Sequence, residues 1–264
     1  LENILDTYLQ EWERTYGSDQ IGNRSLSQRF RAVIRNAKQK TGSNVVVLID
    51  EYDKPILNNI TRQGVGEILN VLKGFYSNIK KTESKLRFVF VTGVSKFCHV
   101  SLFSDMNNLT DISMDARYAT MFGYTQDELE ANFGERISAL AGGQDVAAYK
   151  AKIKDWYNGY RFHAKSQTVY NPVSIAKFFE SNGEFNNYWF ATGTPSFLLE
   201  LIRKQKFDLE KTLESPVSGF AFSAYEIDNL NPLTLLLQTG YLTIDKAVER
   251  YGDTTYQLRF PNLE

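Results

Sequence analysis

The sequence of 264 residues has few cysteines and histidines: one Cys, at position 98, and two His. A single cysteine excludes an internal disulfide and is typical of a reducing compartment, so we expect a cytoplasmic protein. A zinc site built from His and Cys is not expected with so few of these ligands. Apolar runs fall far short of the roughly 18 residues that span a bilayer, and no signal-peptide pattern opens the sequence. We therefore expect no membrane partner.

Neither sign of charge dominates the sequence. Lys and Arg number 30 and Asp and Glu number 31, which gives a formal net charge of −1. The overall charge therefore gives no support to a nucleic-acid partner, although a local basic patch stays open. Hydrophobic residues make up 42% and aromatic residues 14% of the chain, which is enough for well-filled cores in one large domain or two ordinary ones.

The sequence is organised around residues 45–53, which read VVVLIDEYD. Five apolar residues without a break predict a strand buried on both faces, as in a parallel sheet covered by helices. Asp50 and Glu51 follow at once, at the strand end where α/β sheets collect their chemistry. An apolar strand followed by Asp-Glu is the acidic signature of many nucleoside triphosphatases, in which the Asp helps to hold Mg²⁺ and the Glu polarises the attacking water.

Helical patterns surround this strand. Apolar residues from Leu1 to Trp12 predict a first helix, and Ser25 with Gln28 forms a capping box that predicts the start of a second. A third, strongly amphipathic helix is predicted after the strand, and residues 87–91 predict a second buried strand. A strand, a helix and a strand in this order form a βαβ crossover, which should be right-handed.

The second half of the sequence has a different character. Gly142-Gly143 predicts a boundary, so we expect domains at residues 1–142 and 143–264. Short helices are predicted in the second domain, and residues 241–244 and 256–260 alternate in the manner of a terminal hairpin. The helices are predicted to begin near Asp145, Pro172, Pro195 and Pro232. Short helices followed by a hairpin indicate a winged-helix-like region.

Several strings occur in a fixed order along the chain. They are VVVLIDEYDKPIL (45–57), FVTGVSKF (90–97), SLFSDMNNLTDI (101–112), WYNGYRF (156–162), YNP (170–172), YWFATGTP (188–195) and QTGYLTI (238–244). Together they resemble the bacterial AAA-ATPase-like family, whose members often carry a C-terminal nuclease domain like that of restriction endonucleases. The resemblance covers nearly the whole chain, and the combination of strings is far more specific than any one of them.

The resemblance implies a fold class and a set of roles. The expected fold is α/β: a partial P-loop NTPase-type parallel sheet flanked by helices, followed by a mainly helical, winged-helix-like region with a terminal hairpin. By the same resemblance, Asp50 is the Walker B residue that holds Mg²⁺, and Glu51 is the catalytic base. Thr92 takes the place of the polar residue that senses the γ-phosphate, with Ser95 as the second choice. ATP and Mg²⁺ are the expected cofactors of the intact protein.

The sequence departs from the family at one decisive place. No Gly-x-x-x-x-Gly-Lys-Ser/Thr phosphate loop occurs, although this loop supplies the backbone N–H groups, lysine and hydroxyl that hold a triphosphate. We therefore expect a part of a longer protein that does not bind nucleotide tightly alone, with the phosphate-loop segment and the nuclease-like domain as its missing partners. Loss of a central strand should leave a gap or an open sheet edge, which also favours self-association.

Other interpretations of the same residues stay open. Asp50 and Glu51 also suit the plain polar end of a buried strand, and Thr92 and Ser95 suit turn caps. Asp53 would complete a three-carboxylate, nuclease-like metal site. The whole chain would alternatively be a non-catalytic module that binds a protein partner or DNA.

Some further side chains have a structural interpretation beside a functional one. Arg117 and Arg161 are candidate phosphate-reaching arginines, although single arginines are more often surface ion pairs. Cys98 suits a small buried hydrophobe better than a nucleophile. The aromatic strings near Trp156 and Trp189 suit a core better than base stacking, because few basic residues interleave with them.

Overall fold

The computed structural model describes residues 1–19, 24–60, 64–96, 102–103, 106–189, 213, 216–222, 232–250 and 252–264. The contacts divide the chain into two compact units. The first contains the described residues up to Thr110, and the second contains the described residues from Asp111 onward. The fold is mixed α/β, with a parallel pair of strands in the first unit and an antiparallel sheet in the second.

The first unit contains the helix, helix, strand, helix and strand predicted from the sequence, together with a short helix after the first strand and a 3-10 helix before the second that the sequence did not predict. Its elements are α1 (Glu2–Tyr16), α2 (Leu26–Thr41), β1 (Val45–Ile49), α3 (Lys54–Leu57), α4 (Val65–Lys81), a 3-10 helix (Glu83–Lys85) and β2 (Leu86–Val91). Strands β1 and β2 pair in parallel, with Ile49 opposite Val91 at their carboxyl ends. The predicted βαβ unit is therefore confirmed, with α4 in the connection.

Helices α1, α2 and α4 are joined by polar and aromatic contacts. The Ser25–Gln28 capping box at the start of α2 is confirmed. Arg29 of α2 forms ion pairs with two acidic side chains of α1, Asp6 and Glu13. The rings of Phe30 in α2 and Phe75 in α4 stack, with their centroids 4.3 Å apart. These contacts hold the helical layer that accompanies β1, whose Val47 is buried.

One face of the parallel strand pair is exposed, so the prediction that β1 is buried on both faces is wrong. Val46 is 51% exposed and Leu48 is 69% exposed, and both lie on the same face because side chains alternate along a strand. Phe88, the register partner of Val46, is 53% exposed on that face. A parallel sheet normally has helices on both faces, and in the described part of the chain nothing covers this one. We call Val46, Leu48 and Phe88 the bare face.

The second unit begins with helices and ends with a hairpin. Its elements are a 3-10 helix (Ala116–Tyr118), α5 (Gln126–Leu140), α6 (Val146–Tyr157), α7 (Pro172–Glu180), β3 (Val217–Ser218), a 3-10 helix (Gly219–Phe222), α8 (Pro232–Gln238), β4 (Thr243–Arg250) and β5 (Asp253–Arg259). The sheet order is β3-β5-β4, and both pairings are antiparallel. The predicted terminal hairpin is confirmed, while the helix predicted at Pro195 lies outside the described residues.

The core of the second unit is aromatic. Helices α5, α6 and α7 pack around Tyr157, Tyr170 and Phe178, all of which are fully buried. Burial raises the pKa of Tyr170 to about 12. The interpretation of the Trp156 string as core is supported, because Trp156 packs against this cluster.

Helix α5 packs within the second unit, since its Leu129 and Ile137 belong to the same core as Tyr157. The contacts accordingly divide the chain after Thr110. A domain boundary after residue 142, as the sequence predicts, would separate α5 from that core; the boundary itself stays a prediction.

The turn after α6 lies directly against the segment that follows β5. Gly159 has a φ of 110 degrees, in the left-handed region, and a Cβ built there would lie 1.9 Å from the carbonyl oxygen of Pro261. Asn262 Nδ2 donates to the carbonyl oxygen of Asn158 at 2.8 Å, and the Leu263 amide donates to that of Asp155 at 3.0 Å. The glycine is required both by its backbone conformation and by the close approach.

Two glycine-to-alanine substitutions should change stability in opposite directions. Gly159→Ala should lower the free energy of unfolding by about 2 kcal/mol or more, because the new Cβ meets backbone atoms at a left-handed position. Gly134→Ala, in the middle of α5 with no atom within 4 Å of a built Cβ, should raise it by about 0.5–1 kcal/mol. Urea denaturation of both variants measures the difference, and equal stabilities would contradict the described turn.

Candidate functional site

The candidate site lies where β1 and β2 end side by side. Asp50 follows β1 directly, and Thr92 follows β2 directly. The Thr92 amide donates to the Ile49 carbonyl oxygen at 2.8 Å, which keeps the two strand ends level. The Thr92 hydroxyl donates to Asp50 Oδ1. The structure therefore brings together two of the residues predicted from the sequence.

Asp50 is exposed at this edge of the sheet. Its Oδ1 atom also accepts a hydrogen bond from the Glu51 amide at 2.9 Å. None of the described residues donates to its other oxygen, Oδ2, in these contacts. One carboxylate oxygen thus faces solvent while the other fixes the orientation of the side chain.

Glu51 has an unusual backbone conformation. Its φ is 52 degrees, in the left-handed region that non-glycine residues rarely adopt. The side chain is 49% exposed and pairs with Lys54, whose Nζ lies 2.6 Å from Glu51 Oε2. An exposed ion pair of this kind contributes little free energy, so the carboxylate can leave Lys54 for another partner.

Asp53 and Ser95 lie beneath this edge rather than on it. Asp53 is 0% exposed and Ser95 is 4% exposed. Asp53 Oδ1 accepts from the Val94 amide at 3.1 Å, and Oδ2 accepts from the amide and the hydroxyl of Ser95, each at 2.7 Å. We call these three hydrogen bonds the Asp53 clamp. The Ser95 hydroxyl thus already donates to Asp53, and its cofactor-binding role stays a prediction.

Tyr52 and Gly93, which the sequence interpretation did not single out, join the same two loops. The Tyr52 amide donates to the Thr92 carbonyl oxygen at 3.0 Å. The buried Tyr52 hydroxyl donates to the Ser95 carbonyl oxygen at 2.6 Å. A Cβ built on Gly93 would lie 2.5 Å from the Tyr52 ring and 2.7 Å from Asp53 Oδ1. The glycine two residues after the end of an apolar strand is the signal in the sequence, because such a position often marks a close approach.

The charge of Asp53 reaches helix α4. Burial, and secondarily the negative charge of Asp53, raise the pKa of Tyr76 to about 12. The Tyr52 and Tyr76 rings both pack against Phe103, with centroid distances of 5.2 and 5.5 Å. The buried side of the site is therefore aromatic around one carboxylate, while the outer side carries Asp50 and Glu51.

The exposed part of the site offers oxygen ligands of the kind that Mg²⁺ takes. Proteins commonly hold Mg²⁺ through one or two carboxylates together with waters and substrate phosphates. Asp50 Oδ2 and the adjacent Thr92 hydroxyl fit such a partial set. In the described ranges, no group of three or more His, Cys, Asp or Glu side chains is arranged to hold a metal ion. The three-carboxylate interpretation, which needs Asp53, gains no support because that side chain is buried in its clamp.

The two candidate arginines belong to the second unit, whereas this edge belongs to the first. Arg117 pairs with Asp115 at 2.6 Å on an exposed surface of the second unit. Arg161, in the same unit, donates from Nη1 to the Asp245 carbonyl oxygen at 2.8 Å. Both guanidinium groups thus have partners within their own unit. Cys98 lies outside the described residues.

Comparison with known proteins points to one family for the first part of the chain. A family profile described as "Predicted AAA-ATPase" matches residues 1–103. A relative from Azotobacter chroococcum mcd 1, described as "Uncharacterized protein in vnfD 5'region", is 41% identical over 237 residues. The match covers 89% of this chain and 44% of the relative, so the chain spans less than half the length of that protein. No solved structure matches the chain.

The left-handed conformation of Glu51 predicts an unusual ranking of two substitutions. Both Glu51→Gly and Glu51→Ala remove the ion pair with Lys54, but only glycine adopts a positive φ without strain. Glu51→Gly should therefore be more stable than Glu51→Ala by about 1 kcal/mol. Denaturant unfolding of the two variants gives the difference, and a more stable Ala variant would show that residue 51 is not left-handed.

Proposed function

We propose that the chain belongs to the AAA-ATPase-like family and forms the central part of a protein that binds and hydrolyses ATP. The family match over residues 1–103 supports this proposal. The observation that carries it is the hydrogen bond from Thr92 to Asp50 across the ends of two adjacent parallel strands. This is the edge of an α/β sheet at which ligands bind.

Each exposed residue of the site has a proposed role. Asp50 would hold Mg²⁺ through Oδ2 and, as the Walker B residue, is kept in position by Thr92 and by the Glu51 amide. Glu51 would act as the base that polarises water, because its carboxylate is half exposed. Thr92 would respond to the γ-phosphate through the same hydroxyl that contacts Asp50. Mg²⁺, when bound with ATP, would neutralise charge on the phosphates.

The bare face suggests how the phosphate-loop segment completes the sheet. The chain has no phosphate-loop string, and Val46, Leu48 and Phe88 present an apolar sheet face to solvent. We propose that the segment carrying the phosphate loop in the intact protein covers this face with its own helix. Binding of ATP then depends on both parts, and the isolated chain would bind it weakly.

The finer architecture is also part of the proposal. The first unit would be a partial P-loop sheet, and the β4–β5 hairpin after α8 would be the wing of a winged-helix-like region. The nuclease-like domain of the family would be a further partner in the intact protein. In the described part of the chain no helix is both long enough and apolar enough to cross a bilayer. A cytoplasmic location remains part of the proposal.

A Glu51→Gln change in the intact protein tests the catalytic proposal. Turnover of ATP should fall by about 10²-fold or more, because a general base is lost, while affinity for ATP should change little. Glu67→Gln, which alters an exposed glutamate in the first turn of α4, is the matched control and should leave both quantities unchanged. Unchanged turnover in Glu51→Gln would remove Glu51 from the mechanism.

A second candidate function is a non-catalytic binding module. The missing phosphate loop and the bare face favour it, whereas the net charge of −1 does not favour DNA as the ligand. Titration of the 264-residue chain with ATP and Mg²⁺ separates the candidates. Micromolar binding would contradict a module that never meets nucleotide, while no binding to either this chain or the intact protein would overturn the ATPase proposal.

A substitution on the bare face should have different effects on the stability of the 264-residue chain and of the intact protein. Leu48→Thr should change the free energy of unfolding of the 264-residue chain by no more than about 0.5 kcal/mol, because the side chain is mostly exposed. In the intact protein the same change should cost about 2 kcal/mol if another segment buries Leu48. Val47→Thr, at the buried neighbour, should destabilise both proteins. An unchanged free energy of unfolding for Leu48→Thr in the intact protein would contradict the proposal that another segment buries this face.

A further inference from the structure

The two loops at the strand ends are joined by more hydrogen bonds than the strands require. Two backbone bonds, from Thr92 to Ile49 and from Tyr52 to Thr92, continue the pairing beyond β1 and β2. The Tyr52 hydroxyl adds a bond to the Ser95 carbonyl oxygen. The Asp53 clamp adds three more, all from the loop after β2. With the bond from Thr92 to Asp50 these make seven, and Asp53 accepts three of them.

Asp53 is unusual because it is a fully buried carboxylate with no described basic partner among its hydrogen bonds. Burial of a charge is costly unless hydrogen bonds compensate for it. Here two backbone N–H groups and a hydroxyl converge on the two oxygens, as they do in an anion-binding turn. Such a group holds the loop in one conformation, because any shift of residues 94 and 95 would leave the carboxylate unsatisfied.

We propose that Asp53 is a positioning residue that keeps Thr92 beside Asp50. The same two loops are hydrogen-bonded on both sides. On the exposed side Thr92 donates to Asp50, and on the buried side the amides of Val94 and Ser95 donate to Asp53. Gly93 separates Thr92 from those two residues and allows the close packing of the Tyr52 ring. Movement of the loop after β2 would withdraw the Thr92 hydroxyl from Asp50.

The conformation of Glu51 agrees with this role. Asp50 is fixed by Thr92 on one side, and Asp53 is fixed by its clamp on the other. Only Glu51 and Tyr52 lie between them, and the backbone turns at Glu51, which has a φ of 52 degrees. A left-handed non-glycine residue persists where its surroundings determine it. The Asp53 clamp thereby sets the direction of the Glu51 side chain as well, and its effect on catalysis rests on the proposed ATPase function.

Hydrogen exchange in the 264-residue chain tests the clamp without any assumption about activity. In Asp53→Asn, one acceptor oxygen becomes a donor that faces N–H groups. The Val94 and Ser95 amides should exchange at least about tenfold faster, and so should the Tyr52 and Thr92 amides, which do not contact Asp53 through their own hydrogen bonds. In Asp53→Asn, the amides of α2 and α4 should exchange at the rates of the unaltered chain. In the control variant Glu67→Gln, the amides of residues 52, 92, 94 and 95 should also exchange at those rates. Unchanged rates at Tyr52 and Thr92 in a folded variant would overturn the inference.

A milder variant covers the case in which Asp53→Asn does not fold. Ser95→Ala removes one of the three donors and leaves the carboxylate in place. Its Tyr52 and Thr92 amides should exchange faster than in the unaltered chain, by a smaller factor than in Asp53→Asn. Rates equal to those of the unaltered chain would overturn the inference in the same way.

Turnover in the intact protein tests the consequence for catalysis. Asp53→Asn should lower kcat by about tenfold to a hundredfold with a smaller change in KM, because misplacement of a positioned group has effects of this size. In a Thr92→Ala background the further loss should be less than about twofold, since both changes remove the same contact. If Asp53→Asn lowered kcat by the same factor in the Thr92→Ala background as in the unaltered protein, the positioning role would be overturned. Absence of turnover in the unaltered intact protein would instead refute the ATPase proposal, and the exchange rates would still decide the clamp.

Discussion

The parallel pairing of β1 with β2 is the constraint on which the site depends. Asp50 and Thr92 are 42 positions apart in the sequence, and they become neighbours because both strands end at the same edge of the sheet. Parallel strands need a crossover connection, which α4 supplies here. The loops beyond the strands then continue the pairing through backbone and side-chain bonds, so the geometry of the exposed acids is set by groups that are themselves buried.

The sequence predicts the local elements well because their signals are local. The capping box at Ser25 and the alternation in the terminal hairpin both depend on residues within a few positions of each other. The prediction that β1 is buried on both faces failed for a physical reason. An apolar run reports what a strand needs to bury, whereas exposure depends on which other segments are present to cover it.

The candidate site was predictable in part. A run of apolar residues that ends in Asp-Glu and a second strand that ends in Thr are visible in the sequence, and the crossover rule places them together. The Asp53 clamp was not predictable in this way. The same carboxylate suits an exposed metal ligand or a buried acceptor, and only the packing of Tyr52 and the turn at residues 94 and 95 distinguishes the two. The position of Ser95 after the second strand indicates a role at the exposed edge, whereas its partner, Asp53, lies on the buried side.

The ion pair between Glu51 and Lys54 makes the conformation of this loop sensitive to ionic strength. Both side chains are about half exposed, so dissolved ions screen their attraction within the Debye length, about 8 Å at physiological concentrations. Raising the concentration of a simple electrolyte would therefore release the Glu51 carboxylate, while the buried Asp53 contacts, which no solvent reaches, would be unaffected. The same solution condition would loosen one acid of this loop and leave its neighbour two positions away in place.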